Sequence, residues 1–230
     1  MGTRWRYNEI GKNGFGQVRF TAMQSVLERD FLKPFVVTDH VKKNGVPKPF
    51  RWTVREYYQM AELGFFHGKR VELIRGEIVE MSPMKSPHAT SIRLLERLLT
   101  KIFGQGFDVR SQLPMSFSKA DEPEPDIAVV KGTIRDYSDA HPKSATLLVE
   151  VSNTTLRFDR EEKAELYAEN KIEEYWIVNL KERRLEVHRR PQKDKNLGFF
   201  YSEVTIVGEG ESVSPLAKPS AKIKVADMLP

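Results

Sequence analysis

The chain has no cysteine and no long apolar run among its 230 residues. The absence of cysteine excludes a disulfide framework. No apolar stretch approaches the roughly 20 residues that a membrane-spanning helix needs, and the N-terminus lacks the apolar core of a secretory signal. We therefore expect a cytoplasmic protein without a membrane anchor.

A strong excess of charge of one sign is also missing. The 37 Lys and Arg residues exceed the 32 Asp and Glu residues by only five, and they are scattered along the chain. This balance favours the approach of a polyanion without requiring one. The segment 10–18 resembles a kinase glycine-rich loop, but the lysine, His-Arg-Asp and Asp-Phe-Gly motifs that a kinase needs are absent. We expect neither nucleotide binding there nor a small-molecule cofactor.

The length allows one sizeable core plus an extension. Residues 1–50 are mixed in pattern and rich in Gly, Pro and Lys, which predicts an N-terminal extension or linker, and Met23 is a second candidate start. Residues 51–230 form the predicted domain. Its periodicities predict helices at 53–63, 86–102 and 159–170, a hairpin at 71–81 turning at Arg75-Gly76, and strands at 107–117, 126–130, 145–151, 174–178 and 184–188. Ser86 is the predicted cap of its helix and Pro87 the first helical residue. Helices and strands alternate only in part, which favours a mixed sheet flanked by helices.

Glu150 interrupts the strand at 145–151, which otherwise reads as buried on both faces. An ionised carboxylate there costs several kcal/mol unless a cation, metal or donor set meets it. Asp126 opens a neighbouring strand, so a metal site is the first hypothesis. A buried ion pair with an arginine such as Arg157 is the alternative.

Further candidates surround this pair. Glu72 and Glu77 project from the same face of the predicted hairpin. Lys163 lies one helical turn before Tyr167, and His88 stands in the first turn of its helix. Carboxylates that hold Mg²⁺ or Mn²⁺, with a lysine to stabilise developing charge, suit metal-assisted phosphodiester hydrolysis. Tyr167, Tyr175 and Trp176 fit core packing better than stacking on a nucleotide.

The chain carries a series of motifs in a fixed order: the acidic hairpin at 71–79, His88, Pro125-Asp126, 148–152 with Glu150, 160–163 with Lys163, Tyr167, and 174–178. This order resembles that of the Uma2 family of endonuclease-like proteins. The resemblance implies a restriction-endonuclease-like α/β core (mixed α+β) of the PD-(D/E)XK type, with a central mixed β-sheet. Superfamily members normally place the lysine two residues after the glutamate, where this chain has Ser152.

The resemblance therefore carries the lysine's role to Lys163 on the following helix. It makes Asp126, Glu150 and Lys163 catalytic residues, with Asp126, Glu150 and preferably Glu77 as metal ligands. Glu72, His88, Ser152 and Tyr167 become auxiliary residues. DNA is the implied substrate, and the family fold suggests a homodimer.

Two alternatives to a DNA endonuclease stay open. One is a non-catalytic nucleic-acid-binding or regulatory module on a nuclease-like fold, which the missing strand lysine favours. The other is hydrolysis of a different phosphoester. Metal in the acidic cleft with Lys163 pointing toward it favours the enzyme, whereas a Lys163 side chain that points to solvent favours the module.

Overall fold

The computed structural model describes the backbone of Arg19–Thr21 and all of residues 48–230. The glycine-rich segment 10–18 and Met23 lie outside the described residues, as does most of the predicted extension. Among the described residues, no helix is both long and apolar enough to cross a membrane.

Within the described residues, seven strands form the central mixed sheet. They are β1 (Arg19–Thr21), β4 (Phe107–Ser111), β5 (Ile127–Lys131), β6 (Leu147–Ser152), β7 (Glu174–Asn179), β8 (Arg184–Asp194) and β9 (Gly198–Gly208). Their order across the sheet is β1-β9-β8-β7-β6-β5-β4. Among these strands only β6 and β7 pair in parallel, and the other neighbours are antiparallel. Two small pairs accompany the sheet, β2 (Val71–Ile74) with β3 (Glu77–Glu80) and β10 (Ser212–Val213) with β11 (Ile223–Lys224).

Helices cover both faces of the sheet, which confirms the predicted fold class. Helix α2 (Ser86–Phe103) packs its apolar stripe on one face, and α4 (Ala164–Glu169) packs on the other. Successive side chains of β6 point to opposite faces of the sheet. Leu147 and Val149 join the core under α2, while Leu148 joins the core under α4. Burial on both faces explains why β6 reads as an unbroken apolar run apart from Glu150.

The first helix and hairpin agree with their sequence signals. Helix α1 (Val54–Glu62) begins with the predicted capping box, in which Thr53 and Glu56 bond each other's backbone N–H groups. The hairpin turns at Arg75 and Gly76, both with positive φ, as a two-residue turn requires. A Cβ at Gly76 would stand 2.8 Å from the Cβ of Arg51, so this turn needs glycine.

Several boundaries differ from the predictions, and the strand predicted at 184–188 continues to Asp194 in β8. Helix α2 has Lys85 as its cap, with Ser86 as its first residue and no capping side chain. The strand predicted at 107–117 ends at Ser111, because Gln112 has a φ of 52° and Pro114 has no N–H for the ladder. The helix predicted at 159–170 is interrupted: α3 (Leu156–Phe158) leads into a π turn at Asp159–Lys163 before α4.

Candidate active site

Glu150 lies at the centre of a buried polar cluster on the α4 side of the sheet. It is only 4% exposed, and its Oε1 accepts hydrogen bonds from Nζ of Lys163 at 2.9 Å and from the hydroxyl of Tyr167 at 2.6 Å. Arg157, the arginine considered as its partner, instead pairs with Glu161 at the surface. The cation beside Glu150 is therefore a lysine from the next helical segment.

Asp126 is adjacent to Glu150 because β5 and β6 are neighbours in the sheet. Its Oδ2 accepts a hydrogen bond from the backbone N–H of Val151 at 2.9 Å and lies 3.0 Å from Nε2 of His88. Its Oδ1 accepts a hydrogen bond from Nε2 of Gln112 at 3.1 Å. The backbone N–H of Asp126 also faces Oε2 of Glu150 at 3.3 Å. Two carboxylates from neighbouring strands thus meet at one end of the sheet.

Lys163 enters the cluster from the π turn. Both ends of that turn, Asp159 and Lys163, are buried, so the turn directs two charged side chains towards the sheet. Nζ of Lys163 lies 2.9 Å from Oε1 of Glu150 and 3.1 Å from Oε2 of Glu72. The lysine is only 1% exposed, so it points into the cleft rather than to solvent. The solvent-facing orientation that would favour the module is therefore not observed, and the metal that the criterion for the enzyme also requires stays a prediction.

The hairpin contributes Glu72 to the cluster, and Glu77 lies elsewhere. All four residues of β2 are buried, whereas the Glu77 side chain is 63% exposed and pairs with Arg51. The structure therefore brings Glu72, rather than the preferred Glu77, to the cluster. Among the described residues, no donor meets Oε2 of Glu72 at a favourable hydrogen-bonding angle, although Lys163 is close.

The electrostatics of the cluster follow from its burial. Burial raises the pKa of Glu150, Lys163 opposes this rise, and the acids Asp126, Asp159 and Glu72 add to it, so the pKa lies above its usual value. Burial alone would lower the pKa of Lys163, but Glu150, Glu72 and Asp159 outweigh it and raise that pKa above its usual value. Lys163 therefore remains an ammonium at neutral pH.

Asp126 behaves differently from Glu150. Burial alone would raise its pKa, but the hydrogen bond and charge of His88, the N–H of Val151 and the charge of Lys163 lower it below the usual value. Asp126 is therefore ionised at neutral pH. Two neighbouring carboxyl groups thus differ in acidity because their donors differ.

Asp159 and Ser152 extend the cluster beyond Glu150. Burial raises the pKa of Asp159, while Lys163 and the hydroxyls of Thr155 and Ser152 oppose the rise. Thr155 donates to Asp159 at 2.8 Å. Ser152 is 1% exposed and projects from the same face of β6 as Glu150, so it lies on the wall of the cluster.

The aromatic residues divide into contact and packing roles. Tyr167 contacts Glu150 through its hydroxyl and is fully buried. Tyr175 and Trp176 are also fully buried and donate to the Asp159 carbonyl and to Glu174, respectively. No face of these rings is open to a stacking base, so their predicted packing role agrees with the structure.

Sequence reasoning missed Gln112, Asp159 and Glu124 as members of the site region. Asp159 carried a usable signal, because it lies four residues before Lys163 and so shares its helical face. Glu124 follows Glu122 at a spacing of two before Asp126, and burial together with Glu72 raises its pKa. Gln112 carried no signal, since its position depends on where β4 ends.

The donor chemistry of the cluster fits a hard divalent cation. Within residues 48–230, no three carboxylate or imidazole groups are already arranged around a common metal position. Mg²⁺ nevertheless needs only one or two carboxylates plus waters. Four buried carboxylates, those of Glu72, Asp126, Glu150 and Asp159, share one buried ammonium. When all four are ionised, their negative charge exceeds that of Lys163, and an added cation would neutralise the excess. Oε2 of Glu72 has no hydrogen bond among the described residues and only the ion pair with Lys163.

Comparisons with known proteins agree with this fold. The family model Uma2, described as "Putative restriction endonuclease", matches residues 54–226. The fold is similar to a crystal structure titled as "a putative nuclease belonging to DUF820" from Anabaena variabilis ATCC 29413, with a TM-score of 0.59 and 13% identity. That similarity covers 78% of this chain and 97% of the other, and at this identity it shows the fold alone. No curated protein matches the chain. Because the family model spans most of its length, the chain belongs to the Uma2 family, and family and fold together support a nuclease-like function.

Proposed function

We propose that the protein is a metal-dependent endonuclease that hydrolyses DNA phosphodiester bonds through a PD-(D/E)XK-type site with its lysine on the following helix. One observation carries the proposal. Asp126 and Glu150 meet at the end of the sheet, and the ammonium of Lys163 lies 2.9 Å from Oε1 of Glu150. This contact supports the proposal that Lys163 takes the role of the strand lysine.

Each side chain has a definite part in this proposal. Asp126 and Glu150 would hold the divalent cation, with Glu72 as the third acid. When bound, such a cation neutralises charge on the phosphate and lowers the pKa of a water. Lys163 stays protonated, so it stabilises developing negative charge rather than accepting a proton. Tyr167 and Lys163 both donate to Oε1 of Glu150 and fix its orientation.

A non-catalytic module is the second candidate, and the burial of the cluster's side chains from solvent favours it. Glu72, Asp126, Glu150 and Lys163 are each at most 5% exposed, and most of their polar atoms already have partners. A site that is satisfied in this way can be purely structural. Catalysis requires that a cation or phosphate displace some of these internal contacts, which is a measurable difference between the two candidates.

The test uses purified protein, supercoiled plasmid and a linear duplex, with Mg²⁺, Mn²⁺ or EDTA. We expect cleavage with either metal, and a loss of at least a hundredfold in Asp126→Asn and Glu150→Gln. Glu80→Gln, which changes an exposed acid paired with Lys69, is the matched control and should retain activity. Circular dichroism checks that all variants fold. Wild-type protein that cleaves neither DNA nor RNA and binds neither metal in calorimetry would exclude the enzyme.

DNA binding and dimerisation belong to the same proposal. Because the cluster is acidic, a DNA backbone has to be held by positive side chains elsewhere. Arg93, Arg97 and Lys101 stand on successive turns of the exposed side of α2, which covers the opposite face of the sheet, so they would contact a DNA backbone beyond the cleft, past the helix start that carries His88. A homodimer would allow both strands of a duplex to be cut, and light scattering of the purified protein tests it.

A further inference from the structure

Gln112 occupies the first position after β4, where the sheet ladder ends. Ser111 is the last residue of β4 to pair with β5, opposite Ile127. The backbone N–H of Gln112 then lies 3.2 Å from two carbonyl oxygens, those of Pro125 and Asp126. One N–H shared between two successive carbonyls is a bulge-like ending, a feature that re-aims a side chain next to a functional site.

The backbone of Gln112 is left-handed, with a φ of 52°. Glycine adopts this conformation without steric cost, and glutamine does not. The other described non-glycine residues with positive φ are Arg75, Lys171, Arg183 and Arg190, and none of their side chains bonds Asp126. Gln112 differs from these four residues because its side chain reaches Asp126.

That function is visible in the hydrogen bonding of Asp126. Val151 and His88 hold Oδ2, and Nε2 of Gln112 alone bonds Oδ1 within the described part of the chain. With both oxygens held, the carboxylate cannot rotate about its terminal torsion. Without the amide, only Oδ2 is fixed.

We propose that Gln112 is a positioning residue, whose left-handed backbone and side-chain amide together orient the Asp126 carboxylate for a divalent cation. This inference rests on the proposed function, because it assigns Asp126 as a ligand. Partners that hydrogen-bond a ligating group typically change metal affinity by about 10–100-fold when they are removed. We expect a loss of this size for Gln112.

The experiment compares three variants of the full-length protein by Mn²⁺ calorimetry and by thermal unfolding without metal. Gln112→Gly removes the amide and relieves the backbone. Gln112→Met keeps the side-chain length and the backbone strain but cannot donate a hydrogen bond to Asp126. It therefore tests the loss of the amide even if the glycine variant misfolds. Lys171→Gly is the control, because it relieves a similar φ of 57° at an exposed residue beyond α4.

A positioning role predicts that Gln112→Gly and Gln112→Met both raise the Kd for Mn²⁺ by about 10–100-fold, while Lys171→Gly leaves it unchanged. Thermal unfolding checks that each variant is folded, and in Gln112→Gly the relieved backbone strain opposes the loss of the hydrogen bond to Asp126. Wild-type affinity within twofold in the folded Gln112 variants would overturn the inference and leave the proposed function intact. A wild type that binds no Mn²⁺ would overturn both.

Discussion

Replacing Lys163 by methionine removes the single ammonium from the buried cluster. Methionine keeps most of the length and apolar volume of the lysine stem, so the change mainly deletes charge. Glu150 and Glu72 then lose the cation that stands 2.9 Å and 3.1 Å from their carboxylates. Because these groups are buried, water does not compensate for the loss.

The magnitude follows from burial. Breaking a buried ion pair by removing one partner costs about 3–5 kcal/mol, since the remaining charge is left uncompensated. Glu150 already has a raised pKa, and this pKa rises further without Lys163. The folded variant therefore keeps the proton of Glu150 to a higher pH than the wild type, and its stability falls further as pH rises through that range. We expect a larger cost near pH 9 than near pH 6.

Chemical denaturation at both pH values measures this effect, and Lys69→Met provides the control. Lys69 lies 2.9 Å from Glu80, the same distance as in the buried pair, but both side chains are more than half exposed. An exposed pair contributes at most about 1 kcal/mol. If both variants lose the same free energy of unfolding, or if the Lys163→Met cost does not depend on pH, the buried-charge account is refuted.

Three further predictions concern other residues of the structure. Tyr167→Phe should lower the unfolding free energy by about 1.5–3 kcal/mol, because its hydroxyl bonds a carboxylate, whereas Tyr201→Phe, which loses a bond to a backbone carbonyl, should lower it by about 1 kcal/mol. Equal losses in denaturant titrations would contradict this. Burial lowers the pKa of His188 to about 4, so the folded protein binds fewer protons and loses about 2 kcal/mol between pH 6.5 and pH 5. His188→Phe should remove that contribution, and an unchanged pH profile would exclude it. Glu72→Gln should weaken Mn²⁺ binding and cleavage at least tenfold while Glu77→Gln changes neither, and the reverse order would restore Glu77 as the third acid.

Asp126 and Glu150 could be predicted as neighbours from the sequence, because their sequence surroundings are unusual for charged residues. Glu150 stands in an apolar run, and Asp126 precedes another such run, so strand neighbourhood alone predicted their approach. The order of helices and strands was predictable from the periodicity of the apolar residues. The ends of these elements were less predictable, since the end of β4 depends on Gln112 and Pro114 rather than on apolar alternation.

The choice between Glu72 and Glu77 could not be made from the sequence. Both project from one face of the hairpin, as the register of β2 and β3 shows. They differ because the segment before Asp126 covers β2, where Glu122 pairs with Leu73, and leaves Glu77 at the exposed end. That covering is a long-range contact which local patterns do not encode.

The displaced lysine has a consequence for both folding and chemistry. Ser152 and Glu150 share a face of β6, so a strand lysine at position 152 would point into the same cluster. Here a buried serine beside Asp159 fills that position, and the π turn delivers Lys163 from the opposite side of the cleft. π turns are often found at functional sites, because the extra residue redirects side chains that a regular helix would place elsewhere. Since Lys163 balances Glu150, Glu72 and Asp159 at once, the same ammonium stabilises the folded state and supplies the charge that the proposed reaction needs. For each substitution of Lys163, both the free energy of unfolding and the cleavage activity therefore have to be measured before a loss of cleavage is assigned to chemistry.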